Sequence, residues 1–409
     1  MILEGKSIVL GVTGGIACYK AVDLCSKLVQ AGASVDVIMT EATLEFITPL
    51  PFQTLSRRPV CIDMFQLLDS MDMAHISLAK KADLIIIAPA TANTLAKLAV
   101  GIADNLLTTT VLSSMAPLVL APAMDAEMWE HPTTLENVAR LTERGAVVVG
   151  PGAGRLASGR MGRGRLVDTP ELLAAIRQTL GRHGALAGLE VVVTAGGTQE
   201  PLDPVRHLGN RSSGRMGSAL AEAARDMGAR VTLISANVSL EPVLGVELVR
   251  VETAAQMQQA VLERRAETDV LVMAAAVADY RPAQRAEQKI KKIGGELTLA
   301  LERTEDILDA VAASRTDGRP GIVVGFAAET ENLLANAQEK LERKQLDLIA
   351  ANDVTATDAG FGSLDNRVTL LARGAEPVEL PLMSKFEVAE RILLQIARLW
   401  EERYGKLSR

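Results

Sequence analysis

The chain has 409 residues, beyond the size at which a single core usually stops growing, so two domains are expected. With 48% hydrophobic and 23% charged residues it has a globular composition, and a net charge of −7 removes any general attraction to nucleic acid or an anionic membrane. Anionic ligands would need local basic pockets. The cysteines, Cys18, Cys25 and Cys61, form neither a closely spaced metal-ligand pair nor a disulfide framework, which suits a reducing compartment. The start, MILEGKSIVLGV, enters a strand-like run without the features of a secretory leader, and no apolar stretch approaches the roughly 20 residues that span a bilayer. The expectation is a soluble, cytoplasmic protein.

Along the chain, Ser7 to Val12 is a β-branched apolar run, followed by Thr13-Gly14-Gly15, a helical stretch from about Ala17 to Ala31, Gly32 as a stop and a strand ending at Met39-Thr40. Nearly the same design recurs from Glu190: the strand VVVTAGGT, a long polar loop, a helix from about Met216 to Met227, Gly228, and the strand VTLIS. Between the two units, Ala82 to Ile87 and Leu118 to Leu120 are apolar runs of the kind that parallel strands covered on both faces require, each followed by Ala-Pro. Ligands of such sheets bind beyond the carboxyl ends of the strands, where Gly14, Gly15, Thr40, Pro89 to Thr91 and Pro122 to Met124 fall. Residues Gly150 to Arg165, dense in Gly and Arg and lacking periodicity, read as a mobile flap; Gly181 to Gly188 reads as a linker with the boundary near Leu186. Further strands (DVLVMAAA, GIVVGFAA, DLIAAND) alternate with helices from Glu331 to Lys344 and from Phe386 to Tyr404. The class is α/β, as two Rossmann-like doubly wound domains over residues 1–185 and 186–409.

Gly14 and Gly15 sit where a strand turns into a helix, so backbone N–H groups there suit a phosphate, although glycines that only permit tight packing are an equal alternative. The run is not G-x-G-x-x-G, and the second strand ends in Thr40 rather than an acid for a ribose diol; a hydroxyl suits a ribityl phosphate better. His75 is one of only four histidines, and a lone histidine is more often structural than catalytic. Thr91 and Asn93, in Ala88-Pro89-Ala90-Thr91-Ala92-Asn93-Thr94, with Gly101 to Asn105, put small and amide residues where a flat ring can lie. Pro122 to Trp129 adds the Asp125 carboxylate and the Met128 thioether.

Taken together these segments resemble the homo-oligomeric flavin-containing cysteine decarboxylases. The resemblance implies FMN bound between subunits, His75 as base, a segment with Asp125 and Met128 holding the substrate carboxylate, and thiol oxidation to a thioaldehyde ahead of CO2 loss. Two positions depart from the family pattern. Asp125 replaces a frequent Asn, and an ionised Asp125 would repel that carboxylate unless burial raised its pKa or a cation stood beside it. Ser158 replaces a frequent cysteine acid, and a hydroxyl is a far poorer proton donor, so the last protonation is expected to come from water or another flap group.

In the second half, Thr194 to Gly217 (TAGGTQEPLDPVRHLGNRSSGRMG) places glycines, Ser212, Ser213 and Gly214 just before a helix, where N–H groups, hydroxyls and Arg206 suit a triphosphate. Ala274 to Tyr280 ends another strand; its small residues admit a base, and Asp279 can hold a ribose or magnesium. Lys289, Lys291 and Lys292 follow, and a charge run of this kind is usually a solvated face. Joined to Asn210, Asp279, Val324 to Thr330 and Ala350 to Asp353, this pattern resembles the phosphopantothenate-cysteine ligases. The resemblance implies activation of 4′-phosphopantothenate by CTP and Mg2+ as an acyl-cytidylate, before L-cysteine displaces CMP. It assigns Asn210 to the activated acyl centre, Arg206 and Lys289 to carboxylate and phosphate charge, and Ala276 to substrate. Ser212, Gly214, Ala274, Ala275, Asp279, Lys289, Glu305, Asp306, Ile307, Leu308, Phe326, Lys340 and Lys344 fall to the nucleotide. Lys340 and Lys344 also share a helix face by spacing, with surface solvation as the alternative. The two activities are consecutive, and family resemblance adds a dodecameric homo-oligomer. A pyridine-nucleotide oxidoreductase and a flavin-binding regulatory subunit are the competing readings.

Overall fold

The computed structural model describes residues 2–65, 73–291, 297–315, 318–329, 332–353 and 365–406, and the chain divides into two compact units, Met1–Gly181 and Arg182–Arg409. Lys292 and Thr330, named above, lie outside the described residues, as does Glu331.

In the first unit, strands β1 (Ser7–Val12), β2 (Ser34–Met39), β3 (Val60–Cys61), β4 (Leu84–Ala90), β5 (Leu118–Pro122) and β6 (Val147–Val148) form one parallel sheet in the order β3-β2-β1-β4-β5-β6. The connections hold helices α1 (Tyr19–Gln30), α2 (Leu50–Ser56), α3 (Ala74–Lys81), α4 (Ala92–Val100), α5 (Leu106–Leu112), α6 (Ala126–Glu130) and α7 (Pro132–Glu143). The apolar runs read as strands are buried on both faces: Ile8, Leu10 and Val12 enter one core and Val9 the other. The order reverses between β1 and β4, so the loops after these strands flank the switch point where a ligand crevice opens. A buried Thr13 ties them, its hydroxyl donating to Pro89 O (2.7 Å) and accepting from Thr91 N (3.0 Å).

One expectation is corrected. The Gly/Arg-rich segment is an antiparallel hairpin, β7 (Gly152–Arg155) with β8 (Met161–Arg165), followed by α8 (Thr169–Gly181). Its strands carry glycine or arginine at most positions in place of alternating apolar residues, so period two is invisible in the sequence although the ladder forms. The hairpin is pinned at its base: Met124 N donates to Gly164 O (2.9 Å), and a Cβ at Gly164 would stand 2.2 Å from Met124 O.

In the second unit, β9 (Glu190–Gly196), β10 (Gln199–Pro201), β11 (His207–Gly209), α9 (Arg215–Asp226), β12 (Arg230–Ala236), β13 (Glu247–Val251), α10 (Ala254–Arg264) and β14 (Val270–Met273) come first. Next are β15 (Tyr280–Pro282), β16 (Leu301–Arg303), α11 (Ile307–Ser314), β17 (Ile322–Glu329), α12 (Leu333–Arg343) and β18 (Leu348–Asp353). The last elements are β19 (Asp365–Asn366), β20 (Val368–Ala372), β21 (Val378–Glu379), β22 (Met383–Ser384) and α13 (Lys385–Tyr404). An eight-stranded sheet runs β13-β12-β9-β14-β17-β18-β20-β21, parallel through β18 and antiparallel beyond it. Its switch point lies between β9 and β14. Helix α13, opened by a Ser384–Glu387 capping box, packs along α9, which lies on β9 so closely that a Cβ at Gly217 would stand 2.5 Å from Ala195 Cβ.

Candidate functional site

Each unit opens a cavity at its switch point. The first, about 1210 Å³, is bordered by Gly14, Gly15, Thr40, Thr91, Asn93, Asp125, Met128 and Ser158, all singled out from sequence. The two glycines differ in their surroundings. A Cβ at Gly14 would stand 2.6 Å from Ala42 Cβ, so that glycine serves packing; a Cβ at Gly15 meets nothing nearer than Thr91 Cγ2 at 3.7 Å, so its backbone faces open space. Thr91 caps α4 by accepting from Thr94 N, which holds Asn93 in the first turn of that helix. An apolar cavity with a few hydroxyls, amides and an open backbone at a strand-to-helix turn fits a flat ring carrying a phosphate tail.

His75 is not on this cavity's border. It is the second residue of α3, which packs against α5, and its Nδ1 is buried without a hydrogen-bond partner. Asp125 also departs from expectation. It is not made neutral by burial: the Ser158 hydroxyl donates to Oδ2 at 2.7 Å, Glu127 N donates to Oδ1, and these bonds, helped by Arg160, hold the carboxyl below its ordinary value despite some opposing desolvation. Arg160, itself ion-paired to Glu127, is the nearby cation. Ser158 and Arg160 thus latch the hairpin tip to the start of α6. With its proton committed to Asp125, Ser158 is not poised as the acid, and Ser158→Cys is expected to release CO2 no faster than wild type; a gain of about 100-fold or more in single-turnover decarboxylation, the scale of a general acid, would defeat this.

The second cavity, about 1040 Å³, is bordered by Asn210, Ser212, Gly214, Ala274, Ala275, Ala276, Asp279, Glu305, Asp306, Ile307, Leu308, Phe326, Lys340 and Lys344. The Ala274–Asp279 wall is fastened to β9 and its following loop: Ala275 N donates to Thr194 Oγ1 (3.1 Å), Ala276 N to Gly196 O (2.8 Å) and Ala278 N to Thr198 Oγ1 (2.9 Å). Opposite it, Asn210 Nδ2 donates to Val277 O at 2.9 Å, and a Cβ at Gly197 would stand 2.7 Å from Asn210 O, which is why glycine is needed there. Lys344 is not a solvated surface residue. Only 8% exposed, it donates to Asp306 Oδ2 (2.7 Å) and Asp309 Oδ2 (2.6 Å), and burial opposes its charge less than these carboxylates favour it.

Two expected cations lie off the cavity border, Arg206 and Lys289. Arg206 binds Asp203 Oδ2 through Nε (2.9 Å) and Nη2 (2.6 Å) and donates to Ile290 O, while Lys289 is exposed on the adjoining loop. The i, i+3 acid was visible in the sequence and is the signal that competed. Asp203, 2% exposed, also accepts from the backbone N–H groups of Val205, Arg206 and Ile290. Burial opposes ionisation, but these donors together hold its carboxyl far below the ordinary range. A depressed folded pKa stabilises above the unfolded value and is lost as pH falls through the folded one. The thermal midpoint of the second unit is therefore expected to decline with acid less steeply in Asp203→Asn than in wild type, read by calorimetry over an acid series; parallel declines would refute the clamp. Arg211, Arg215, Asn352, Asn366 and Lys385 also border this cavity and were not singled out as site residues.

The family profile described as Flavoprotein matches residues 2–181, and that described as DNA/pantothenate metabolism flavoprotein C-terminal domain matches residues 186–399. The chain is 46% identical to the coenzyme A biosynthesis bifunctional protein CoaBC of Bacillus subtilis over 97% of this chain and 98% of that protein. The chain belongs to the CoaBC family. The CoaBC proteins of Vibrio vulnificus and Mycobacterium tuberculosis are each 45% identical, over 97% and 95% of this chain and 98% and 95% of theirs. Among the described residues, no helix is long and apolar enough to cross a membrane.

Proposed function

We propose that this CoaBC family member carries out two consecutive steps of coenzyme A biosynthesis: residues 186–409 join L-cysteine to 4′-phosphopantothenate at the expense of CTP, and residues 1–185 decarboxylate the product to 4′-phosphopantetheine. What supports the reading most is that the residues singled out from two separate motif sets border one cavity in each unit.

In the ligase cleft, Ser212 and Gly214 at the start of α9 bind the triphosphate, with N–H groups of a helix N-terminus favouring the anion. Ala274 and Ala275 admit the base, Phe326 and Glu305 to Leu308 close around it, Lys340 adds positive charge, and Lys344 holds Asp306 and Asp309 in place. Asp279, on the cavity border, would hold Mg2+, an ion that is commonly bound through one or two carboxylates together with substrate phosphates. The substrate carboxylate attacks the α-phosphorus, pyrophosphate leaves, and the cysteine amine then displaces CMP at an acyl carbon held beside Asn210 and Ala276. Lys289 and Arg206 act from the loop that Asp203 anchors.

In the decarboxylase, Gly15 and Thr40 would hold the phosphate of FMN, and Thr91 and Asn93 would hold its ring. Bound FMN supplies the two-electron redox chemistry that makes loss of CO2 from a cysteine carboxylate feasible. Met128 packs against the substrate, and the Asp125–Ser158 latch closes the hairpin over it; Arg160 offsets the Asp125 charge that a substrate carboxylate meets. His75 is the base. Because it stands off its own unit's cavity, it serves the flavin site of a neighbouring copy in a homo-oligomer, a dodecamer by family resemblance. The protein works in the cytoplasm, without nucleic acid or membrane partners.

A mass balance with 4′-phosphopantothenate, cysteine, CTP and Mg2+ tests the whole reading. Equal yields of pyrophosphate, CMP and CO2, with flavin co-purifying, are expected. NADH turnover would favour an oxidoreductase, and flavin binding without CO2 or pyrophosphate a regulatory subunit.

A further inference from the structure

A triphosphate that gives up pyrophosphate needs cations around its distal phosphates, and Arg206 and Lys289 do not border the second cavity. Of the cations that do border it, Arg215 and Lys385 stand at the starts of two packed helices. Arg215 is the first residue of α9, directly after Gly214, whose left-handed backbone (φ 73°) turns the serine loop into the helix. It is an exposed residue. Lys385 is the first residue of α13, only 9% exposed, yet it borders the same cavity. The two come from distant parts of the sequence and meet because α13 packs along α9 and the β19–β22 ribbon sets Asp365 opposite Ser384.

Burial first and Arg215 second push the Lys385 ammonium below its ordinary pKa, and Asp365 only partly opposes them. Two neighbouring cations at adjoining helix starts form a positive pole that an anion relieves. Asn366, 4% exposed, and Asn352 border the same cavity. The cavity's opposite wall, with Asp306 and Asp309 against Lys344, is already charge-compensated.

We propose that Lys385 and Arg215 bind the β- and γ-phosphates of the nucleotide and hold pyrophosphate as it leaves. The inference rests on the ligase reading and names which of the bordering cations take the distal phosphates. As the substrate carboxylate oxygen bonds to the α-phosphorus, the bond from that phosphorus to the α,β-bridging oxygen breaks and its electron pair stays with pyrophosphate. No proton moves in this step. The negative charge that grows on the departing group is what the two side chains stabilise.

The test uses the full-length protein and follows pyrophosphate release while CTP, 4′-phosphopantothenate and cysteine are varied in turn. Lys385→Gln and Arg215→Gln are each expected to raise the KM for CTP by about tenfold or more, the scale of one lost charge-assisted hydrogen bond, and to weaken product inhibition by pyrophosphate similarly. The KM for 4′-phosphopantothenate should stay within about twofold, and Lys385→Arg should recover most of the loss. Arg215 is exposed, so Arg215→Gln carries the test if Lys385→Gln fails to fold. A rise confined to the 4′-phosphopantothenate KM, or no change in either constant, overturns the assignment. If wild type itself releases no pyrophosphate, the ligase reading fails and this one falls with it.

Discussion

Asn210→Asp is expected to bind CTP but to lose ligation by about 100-fold or more, the range seen when one pre-positioned donor to a developing charge is removed. Asn210 spends one amide hydrogen on Val277 O at 2.9 Å and borders the cleft, so its orientation is fixed by the Ala274–Asp279 wall it faces. Aspartate has no hydrogen to give that carbonyl. Its carboxylate would turn away from Val277 and place a negative charge beside the substrate carboxylate and the α-phosphate, where the reaction already brings two anions together. Asn210→Ala loses the donor without adding charge and is expected to fall less far. Steady-state pyrophosphate and CMP release measure both variants, and Asn210→Asp within about threefold of wild type would remove Asn210 from the acyl centre.

The second large effect is expected at the other site. His75→Asn should reduce CO2 release by about 10²–10⁴, the contribution of a positioned base, with flavin content and ligation intact and 4′-phosphopantothenoylcysteine accumulating. Asparagine retains a polar group near the buried Nδ1 position, so a fold defect is not the expected cause. Geometry adds a sharper form. Because His75 lies off the cavity of its own unit, chains carrying His75→Asn, mixed with chains disabled at Thr91 and Asn93, should recover part of the decarboxylase activity when the two are dissociated and reassembled together. Recovery requires that one chain supply the base and another the flavin pocket. A mixture as inactive as its components would place the base and pocket within one chain.

The central strands of both sheets could be read because they are buried on two faces, which leaves unbroken runs such as Leu84–Ile87 and Val191–Val193, whereas the outer strands β13 and β21, partly or fully exposed, went unread. Their carboxyl ends gave most of each candidate site, since a strand-to-helix turn places backbone and small side chains at the switch point whatever lies between. Side-chain direction was not legible. Arg206 has the chemistry of a phosphate ligand, and only the packing shows that Asp203 and the Ile290 carbonyl occupy it. His75 carries no local signal of where its ring points. The β7–β8 hairpin hid behind its glycines and arginines, because a ribbon that buries little apolar surface has no alternation to display. Lys385 was the hardest case: beside Phe386 it reads as the start of an amphipathic helix, and its neighbour Arg215 is brought to it by tertiary packing alone.

That late return of α13 to α9 also sets an order of events during synthesis. The parallel sheet of the first unit is encoded entirely by residues 7–148, and its last helix ends at Gly181, so the flavin crevice can assemble while the rest of the chain is still being translated. The nucleotide cleft must wait for Lys385 and the helix behind it to emerge, and contacts so distant in sequence form slowly. Translation therefore completes the two catalysts in the reverse order of the steps they perform. A ribosome that stopped short of α13, or a protease that trimmed it, would leave chains that could run the second reaction once assembled with one another and yet be unable to make their own substrate.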